Sequence, residues 1–392
     1  MSYIVLARKY RPKNFSELVG QSHVVTALSN ALTTQRLHHA YLFTGTRGVG
    51  KTTVSRILAK SLNCEQGITA NPCGVCDACT QIDAGRFVDY TELDAASNRG
   101  VDEVQQLLEQ AVYKPVQGRF KVFMIDEVHM LTNHAFNSML KTLEEPPEYL
   151  KFVLATTDPQ KVPVTVLSRC LQFNLRPMAP ETILEHLSSV LGSEQIAFES
   201  VALKLIAQSA RGSMRDALSL SDQAIAFGAG SLQEANVRQM LGSVDYGYIF
   251  DLIKALADGR GQGVFEICEN IRQMGINAAS VLEEMARVLQ KMAVVQNVPR
   301  ASQSQGAELA SVDPDEQRVN DLAHDLPSDE TQLLYTMCLQ GRAELGLAPD
   351  EYTGLTMVLL RLLAFKRGPT ESVDEAQKKT LKTEPFPNSA SN

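Results

Sequence analysis

The run Gly45-Thr46-Arg47-Gly48-Val49-Gly50-Lys51-Thr52 has the residue types and spacing of a phosphate-binding loop. Glycines let consecutive backbone N–H groups turn inward without a Cβ clash, and the positive end of a following helix faces the same anion. In this P-loop pattern Lys51 reaches the terminal phosphates and Thr52 offers its hydroxyl to Mg²⁺. A second motif supplies what hydrolysis needs. The apolar run Val122-Phe123-Met124-Ile125 reads as a buried strand and ends in Asp126 and Glu127, at the strand end where open α/β sheets bind ligands. Asp126 is expected to hold the Mg²⁺ shell, and Glu127 to act as the base toward the attacking water. Two acids opening a loop would mean little alone; beside a phosphate loop they point to turnover of ATP.

Four thiols form the next constellation. Cys64, Cys73, Cys76 and Cys79 fall within sixteen residues, and the Cys-x-x-Cys-x-x-Cys end is dense enough for one tetrahedral Zn²⁺, with Pro72 and Gly74 turning the chain between ligands. With all four positions protein ligands, no place is left for a catalytic water, so the ion is structural. An iron–sulfur cluster uses similar spacing, although nothing else in the chain suggests electron transfer. Seven cysteines in a chain without a secretory start speak for metal rather than a disulfide framework. Cys170, Cys268 and Cys338 lie in apolar surroundings and read as small buried hydrophobes.

These residues need elements to hold them. The first ~175 residues alternate strand-like and helix-like segments, as expected of a parallel sheet covered by helices. Buried strands are predicted at 40–44, 88–93, 120–125, 151–156 and 170–173, five in all. Val54, Ile57, Leu58, Ser61 and Leu62 share one helical face, as do Val101, Val104, Leu108 and Ala111. After Arg176-Pro177 the strand signal ends. Pro180 opens a helix-rich region to about residue 242, and a second helical block runs from 245 to about 367. Within it, 301–330 is strongly acidic and reads as a solvated loop with a short helix. From 368 the composition turns to Thr, Glu, Lys, Pro and Ser, the signature of a disordered tail.

At 392 residues, 44% hydrophobic and 21% charged, the chain has room for two or three domains, each with a core. No apolar run approaches the ~18–20 residues that span a bilayer and the start carries no secretory signal, so a cytoplasmic location away from membranes is expected. The net charge of −8 is misleading, because 301–330 carries eight acids against Arg318 alone. Residues 1–60 are the opposite, with nine Lys/Arg against Glu17, which favours a polyanion nearby, nucleotide or DNA.

Beyond these readings, the motifs resemble those of AAA+ ATPases, and among them the gamma/tau family of bacterial DNA polymerase III clamp-loader subunits. The resemblance rests on Asp126-Glu127 followed by Val128-His129-Met130-Leu131, on Ser168-Arg169-Cys170, on Gly212-Ser213-Met214-Arg215-Asp216, and on the cysteine insert itself. It covers 1–367. It implies an α/β P-loop AAA+ core with a five-stranded parallel sheet and a zinc-binding insert, followed by a helical lid and an all-α collar. The expected bounds are 1–178 for the core with the insert at 64–79, 179–242 for the lid, 243–367 for the collar, and 368–392 for the tail.

The resemblance also implies roles. Thr157 takes the polar sensor position that bonds the γ-phosphate or the water. Arg169 reaches into a neighbouring subunit's site, as an arginine finger in trans. Arg215 senses the γ-phosphate from the lid. Leu6-Ala7-Arg8-Lys9-Tyr10-Arg11-Pro12 and Val19-Gly20-Gln21 look like the adenine-side boxes, with Ala7, Arg11, Pro12 and Val19 at the base. Partners implied are the other subunits of a hetero-pentamer holding several copies of this chain, the ring-shaped sliding clamp, and primed DNA. Asn98, Arg99 and Lys141 are candidates for DNA phosphate contacts. Plainer readings stay beside these: a surface ion pair for Arg169, a local pair with Asp216 for Arg215, a basic arm for the first residues, and a solvated face for the DNA candidates. At the level of function, the alternatives are another AAA+ DNA-remodelling machine and a non-hydrolysing scaffold subunit. A protein unfoldase would show an aromatic pore loop where Ser97-Asn98-Arg99-Gly100-Val101 has none, and no polymerase active site is visible.

Overall fold

A computed structural model describes residues 4–97, 100–242, 246–298 and 314–364. The tail at 368–392 and the first part of the acidic stretch lie outside these. The chain divides into two compact units, 1–240 and 241–392.

The first unit is built on five strands: β1 (Ala40–Thr44), β2 (Tyr90–Asp94), β3 (Lys121–Asp126), β4 (Leu150–Thr156) and β5 (Leu171–Asn174). All pairings are parallel, in the order β2-β3-β4-β1-β5. Alternation along the strands sends side chains to two cores. Tyr41, Phe43, Val122, Met124 and Val153 face one side; Leu42, Phe123, Ile125, Phe152 and Leu154 face the other. Helices α2 (Ser22–Thr33) and α3 (Lys51–Asn63) cover the first face, and α5 (Val101–Ala111) and α6 (Asn133–Glu144) the second. Helix α1 (Leu6–Lys9) precedes them, and α4 (Asp77–Ala84) lies in the insert against α3. The one-turn helix α7 (Val164–Leu167) leads into β5.

Strands β1 and β4 are wholly buried, but the outer pair departs from the expectation of five buried strands. Strand β2 starts two residues late, leaving Val88 exposed, and β5 shows Leu171, Gln172 and Asn174 to solvent, because each has a neighbour on one side only. In α5, Leu107 is buried more deeply than the predicted Leu108, a rotation of one position within the same stripe.

After the sheet come α8 (Pro180–Ser193), α9 (Ser200–Ser209), α10 (Met214–Phe227) and α11 (Glu234–Leu241). Helices α8 to α10 pack together, and α1 packs on α10, where Leu6 N–H donates to Asp222 Oδ2 at 2.8 Å. Gln21 is fully buried and clamps the chain at the exit from the sheet: its Nε2 donates to Arg176 O at 2.7 Å, and Arg176 N–H returns a bond at 3.1 Å.

The second unit is helical: α12 (Tyr246–Ala257), α13 (Gly261–Gln273), α14 (Ala278–Asn297), α15 (Pro314–Asp325), α16 (Ser328–Glu344) and α17 (Glu351–Ala364). Its core centres on α14, with Leu282, Met285, Leu289 and Met292 buried. The described part of the acidic stretch, from 314, holds the expected helix, α15, and the start of α16. Val319, Leu322 and Ala323 turn one face of α15 into the core and leave the acids outside.

Candidate functional site

The phosphate loop joins β1 to α3, and its glycines adopt backbone conformations that a side chain resists: φ is +142° at Gly45, +79° at Gly48 and +105° at Gly50. Two are also packed tightly. A Cβ on Gly45 would stand 2.4 Å from Leu175 O, and one on Gly48 1.8 Å from Ser213 Oγ. Val49 is buried beneath the loop, while Thr46 and Arg47 are exposed on it. Lys51 is only 6% exposed, and its Nζ donates to Gly45 O at 2.9 Å and Thr46 O at 3.1 Å, spanning the loop.

The C-terminal ends of β1, β3 and β4 lie side by side, since Thr44 pairs with Thr156 and Ile125 with Leu154. Asp126 therefore meets the start of α3, where Thr52 Oγ1 donates to Asp126 Oδ2 at 2.9 Å. Glu127 follows with φ +48°, a left-handed conformation rare for a non-glycine residue, and its Oε1 lies 3.9 Å from Lys51 Nζ. Thr157, at the end of β4, holds the other oxygen: its N–H donates to Glu127 Oε2 at 3.1 Å and its hydroxyl at 2.8 Å. His129 Nδ1 stands 2.9 Å from Thr156 Oγ1 and 3.4 Å from Glu127 Oε2.

Electrostatics match this crowding. Burial raises the Asp126 carboxyl above its ordinary range, with the Thr52 hydroxyl pulling the other way, and burial lowers the Lys51 ammonium against the pull of Glu127 and Asp126. Two adjacent carboxylates, a hydroxyl and a buried lysine beside a cradle of left-handed glycines suit a divalent cation and a polyphosphate chemically. Arg11 adds to the cation field. Its guanidinium is lowered by burial and by nearby Arg56 and Arg215, with Glu92 opposing. Like charges converging in this way favour an anion among them.

Helix α10 brings its N-terminus to the same loop. Ser213 caps it by accepting from Asp216 N–H at 3.2 Å, and the same Ser213 fills the space over Gly48. Arg215 is exposed, with its Cβ 3.5 Å from the point where a Gly48 Cβ would lie, and no ion pair to Asp216 is found among the described residues. The N-terminal segment bearing Ala7, Arg11, Pro12 and Val19, all partly buried, is tied down on both sides. Lys9 and Tyr10 bond Glu194, the C-cap of α8, and the fully buried Lys60 of α3 donates to Lys13 O at 2.7 Å.

Arg169 lies elsewhere. Tyr41 pairs with Leu171 near the start of β1 in the parallel β1–β5 register, and Arg169 sits in the turn just before Leu171, while the phosphate loop begins beyond the far end of β1. From Tyr41, opposite Leu171, to Gly45 is roughly 13 Å at ~3.3 Å per residue, and Arg169 precedes Leu171, so it lies toward the opposite end of the sheet from its own loop. On its own chain Arg169 bonds Glu144 at 2.6 Å. Lys141 is exposed on α6; Asn98 and Arg99 lie outside the described residues.

The four cysteines of the insert gather into one cluster, with all sulfur atoms within 4.8 Å of one another. Cys64 ends α3, Cys76 caps α4, and Cys79 lies one turn inside it. Backbone N–H groups point at sulfur, from Cys73 to Cys64 Sγ at 3.5 Å and from Cys76 to Cys73 Sγ at 3.4 Å. Amide donors from Val75 and Cys76 bring the Cys73 thiol down to about 6, whereas burial pushes Cys79 up. The donor set and spacing are compatible with a metal ion, and tetrahedral Zn²⁺ with ~2.3 Å bonds needs sulfurs this close.

His129 and Ser213 join the site geometry, and Glu144 joins Arg169, without having been assigned roles from sequence. For Ser213 a signal was present, since Ser-x-x-Asp before an apolar run is a capping pattern. For the other two there was none.

Three family models cover most of the chain: DNA polymerase III, delta subunit, over 20–179; DNA polymerase III clamp loader subunit, ATPase lid domain, over 182–230; and DNA polymerase III subunits gamma and tau domain III, over 232–377. The chain is 52% identical over 365 residues to DNA polymerase III subunit tau of Salmonella typhimurium, and equally to that of Escherichia coli, in each case with 93% of this chain and 56% of the relative aligned. It thus spans little more than half the length of these relatives. Against DNA polymerase III subunit gamma of Buchnera aphidicola (from Acyrthosiphon pisum) it is 42% identical over 364 residues, covering 93% of this chain and 99% of the other.

Proposed function

The chain belongs to the gamma and tau family of DNA polymerase III subunits, and on that premise we propose that it is an ATPase of the clamp loader, using ATP to open a ring-shaped sliding clamp and place it on primed DNA. The core, with lid and collar, divides in this reading at 1–178, 179–242 and 243–367. One observation carries the proposal: Lys51, Thr52, Asp126 and Glu127 meet at one end of the sheet, and Arg169 lies in the turn before β5 toward the other. A subunit so built supplies half of two active sites, as a ring of neighbours requires.

Within one site, Gly45 to Thr52 cradle the phosphates and Ala7, Arg11, Pro12 and Val19 hold the base. Lys51 neutralises the terminal phosphates, and Thr52 with Asp126 holds Mg²⁺, which when bound offsets charge between phosphate oxygens. Glu127 takes a proton from the attacking water; Thr157, which bonds Glu127, sets where that carboxylate points. Arg215 reports the γ-phosphate to the lid, and Arg169 stabilises the charge on a neighbour's transferring phosphoryl group. Zinc on Cys64, Cys73, Cys76 and Cys79 is structural. The partners in this reading are further copies and other subunits of a hetero-pentamer, the clamp, and primer-template DNA, with Lys141, Asn98 and Arg99 as phosphate contacts.

The test is steady-state ATP hydrolysis by the chain with its partner subunits, with and without clamp and primed DNA. Stimulation by clamp and primer is expected, lost on Lys51→Ala and Arg169→Ala. Glu127→Gln is expected to keep ATP binding while turnover drops about 10²- to 10⁴-fold. ATP turnover that ignores clamp and DNA would remove clamp loading from the assignment.

A further inference from the structure

The Arg169 guanidinium is already engaged on its own chain. Its Nη1 donates to Thr165 O at 2.6 Å and Ser168 Oγ at 3.3 Å, and Nη2 to Glu144 Oε1 at 2.6 Å. The first two acceptors are neutral and local, one turn back and one residue back, and they aim the side chain. Glu144 differs in kind, being a full charge brought in from another helix. It is the last residue of α6, fixed there because Glu145 leaves helical geometry and Pro146-Pro147 cannot continue it. Helix α6 packs on α7, which carries Arg169 at its exit.

We propose that Glu144 gates Arg169, occupying the cation until a neighbouring subunit's phosphates are delivered in register. This rests on the reading of Arg169 as acting in trans. The carboxylate offsets the guanidinium charge and repels an approaching phosphate, so a loosely docked neighbour gains little from Arg169. The pair is half open to solvent, at 32% and 50% exposure, and such pairs contribute little to stability. A polyphosphate held at bonding distance therefore displaces Glu144 readily. Glu144 is a positioning residue: it touches no reacting atom and acts only through Arg169.

The experiment compares Glu144→Gln, Glu144→Asp, Arg169→Ala and the double variant Glu144→Gln/Arg169→Ala in the complex assembled with its partner subunits, measuring kcat and KM for ATP without clamp or DNA. Glu144→Gln is expected to raise basal kcat roughly two- to fivefold, the range an exposed charge pair can impose, with KM unchanged. Glu144→Asp, which keeps the charge, should stay near wild type, and the double variant should fall to the level of Arg169→Ala. Melting curves of all variants accompany the kinetics. An unchanged or lower basal kcat in Glu144→Gln, at wild-type melting temperature and with Arg169→Ala inactive, overturns the gate alone. Wild-type turnover in Arg169→Ala overturns the gate together with the trans role.

Discussion

Gly48 and Gly50 separate two reasons for a glycine. Both have positive φ, but a Cβ on Gly48 would collide with Ser213, while one on Gly50 meets nothing within 4 Å. Gly50→Ala should therefore cost only backbone strain, about 1–3 kcal/mol. Gly48→Ala carries the same strain and also forces Ser213 away, loosening the cap of α10 and moving Arg215 from the loop. The expected result is a larger thermal destabilisation for Gly48→Ala than for Gly50→Ala, together with a clearly larger loss of nucleotide affinity by titration calorimetry. Equal affinity losses would mean that the contact between lid helix and loop does not matter for binding. The loop itself was legible in the sequence because its eight residues are contiguous and the chemistry of each follows from its type. The contacts that complete it were not. Ser213 over Gly48, Thr157 on Glu127 and Glu144 on Arg169 each join positions far apart in the chain, and a single sequence holds no record of which distant residues meet.

Elements carry the next layer, and the P-loop helix α3 is held at three places along its length. Midway along it, Arg56 makes a two-pronged bond to Glu92 of β2, with Nη2 to Oε2 at 2.7 Å, and Tyr90 OH donates to the same carboxylate at 2.7 Å. Burial pushes the Glu92 carboxyl up, but Arg56 and Tyr90 outweigh it and hold it below its usual 4.5. A carboxylate depressed in the folded state stabilises above its unfolded pKa, and that contribution is lost as pH falls through the folded value. Glu92→Gln is thus expected to lower the melting temperature near neutral pH by about 2–4 °C, the equivalent of about 1 kcal/mol, with the gap to wild type closing at acid pH. A gap independent of pH would assign the effect to packing rather than charge.

Farther along α3, Lys60 is fully buried and pairs with Asp83 of α4 at 2.7 Å, and Cys64 ends the helix inside the sulfur cluster. The insert and the P-loop helix are therefore one assembly. Removing the metal with a chelator, or Cys79→Ser, should lower the melting temperature by roughly 5–10 °C and release one zinc per chain, measured by emission spectroscopy. The loss stays below the ~10–16 kcal/mol of isolated zinc fingers, since α3 and α4 also share apolar contacts. Iron in place of zinc would favour the cluster alternative. The five strands were found from their apolar runs, to within two residues at each end. Their order was not, because strand neighbours depend on crossovers that hydropathy does not encode.

At the scale of the molecule, the two units face different tasks. Every proposed nucleotide contact, from Ala7 to Arg215, falls in 1–240, whereas Ile253, Val281, Leu289 and Leu359 close a separate core in 241–392. Among the described residues no helix is long and apolar enough to cross a membrane. The helices α8 to α10 group with the sheet in one compact unit, drawn in by α1 on α10 and by the Gln21 clamp. Hydropathy sees where strands stop; it does not see such cross-links. A ligand that binds only the folded first unit stabilises it by RT ln(1 + [L]/Kd), about 2.7 kcal/mol at a hundredfold excess over Kd. Spread over a unit of this size, that is roughly 5–10 °C. Calorimetry with a non-hydrolysable ATP analogue and Mg²⁺ is therefore expected to resolve two transitions and to raise only one, with Lys51→Ala abolishing the shift. If both transitions move together, the two units unfold as one cooperative block, and nucleotide energy bound in the first is felt directly by the second.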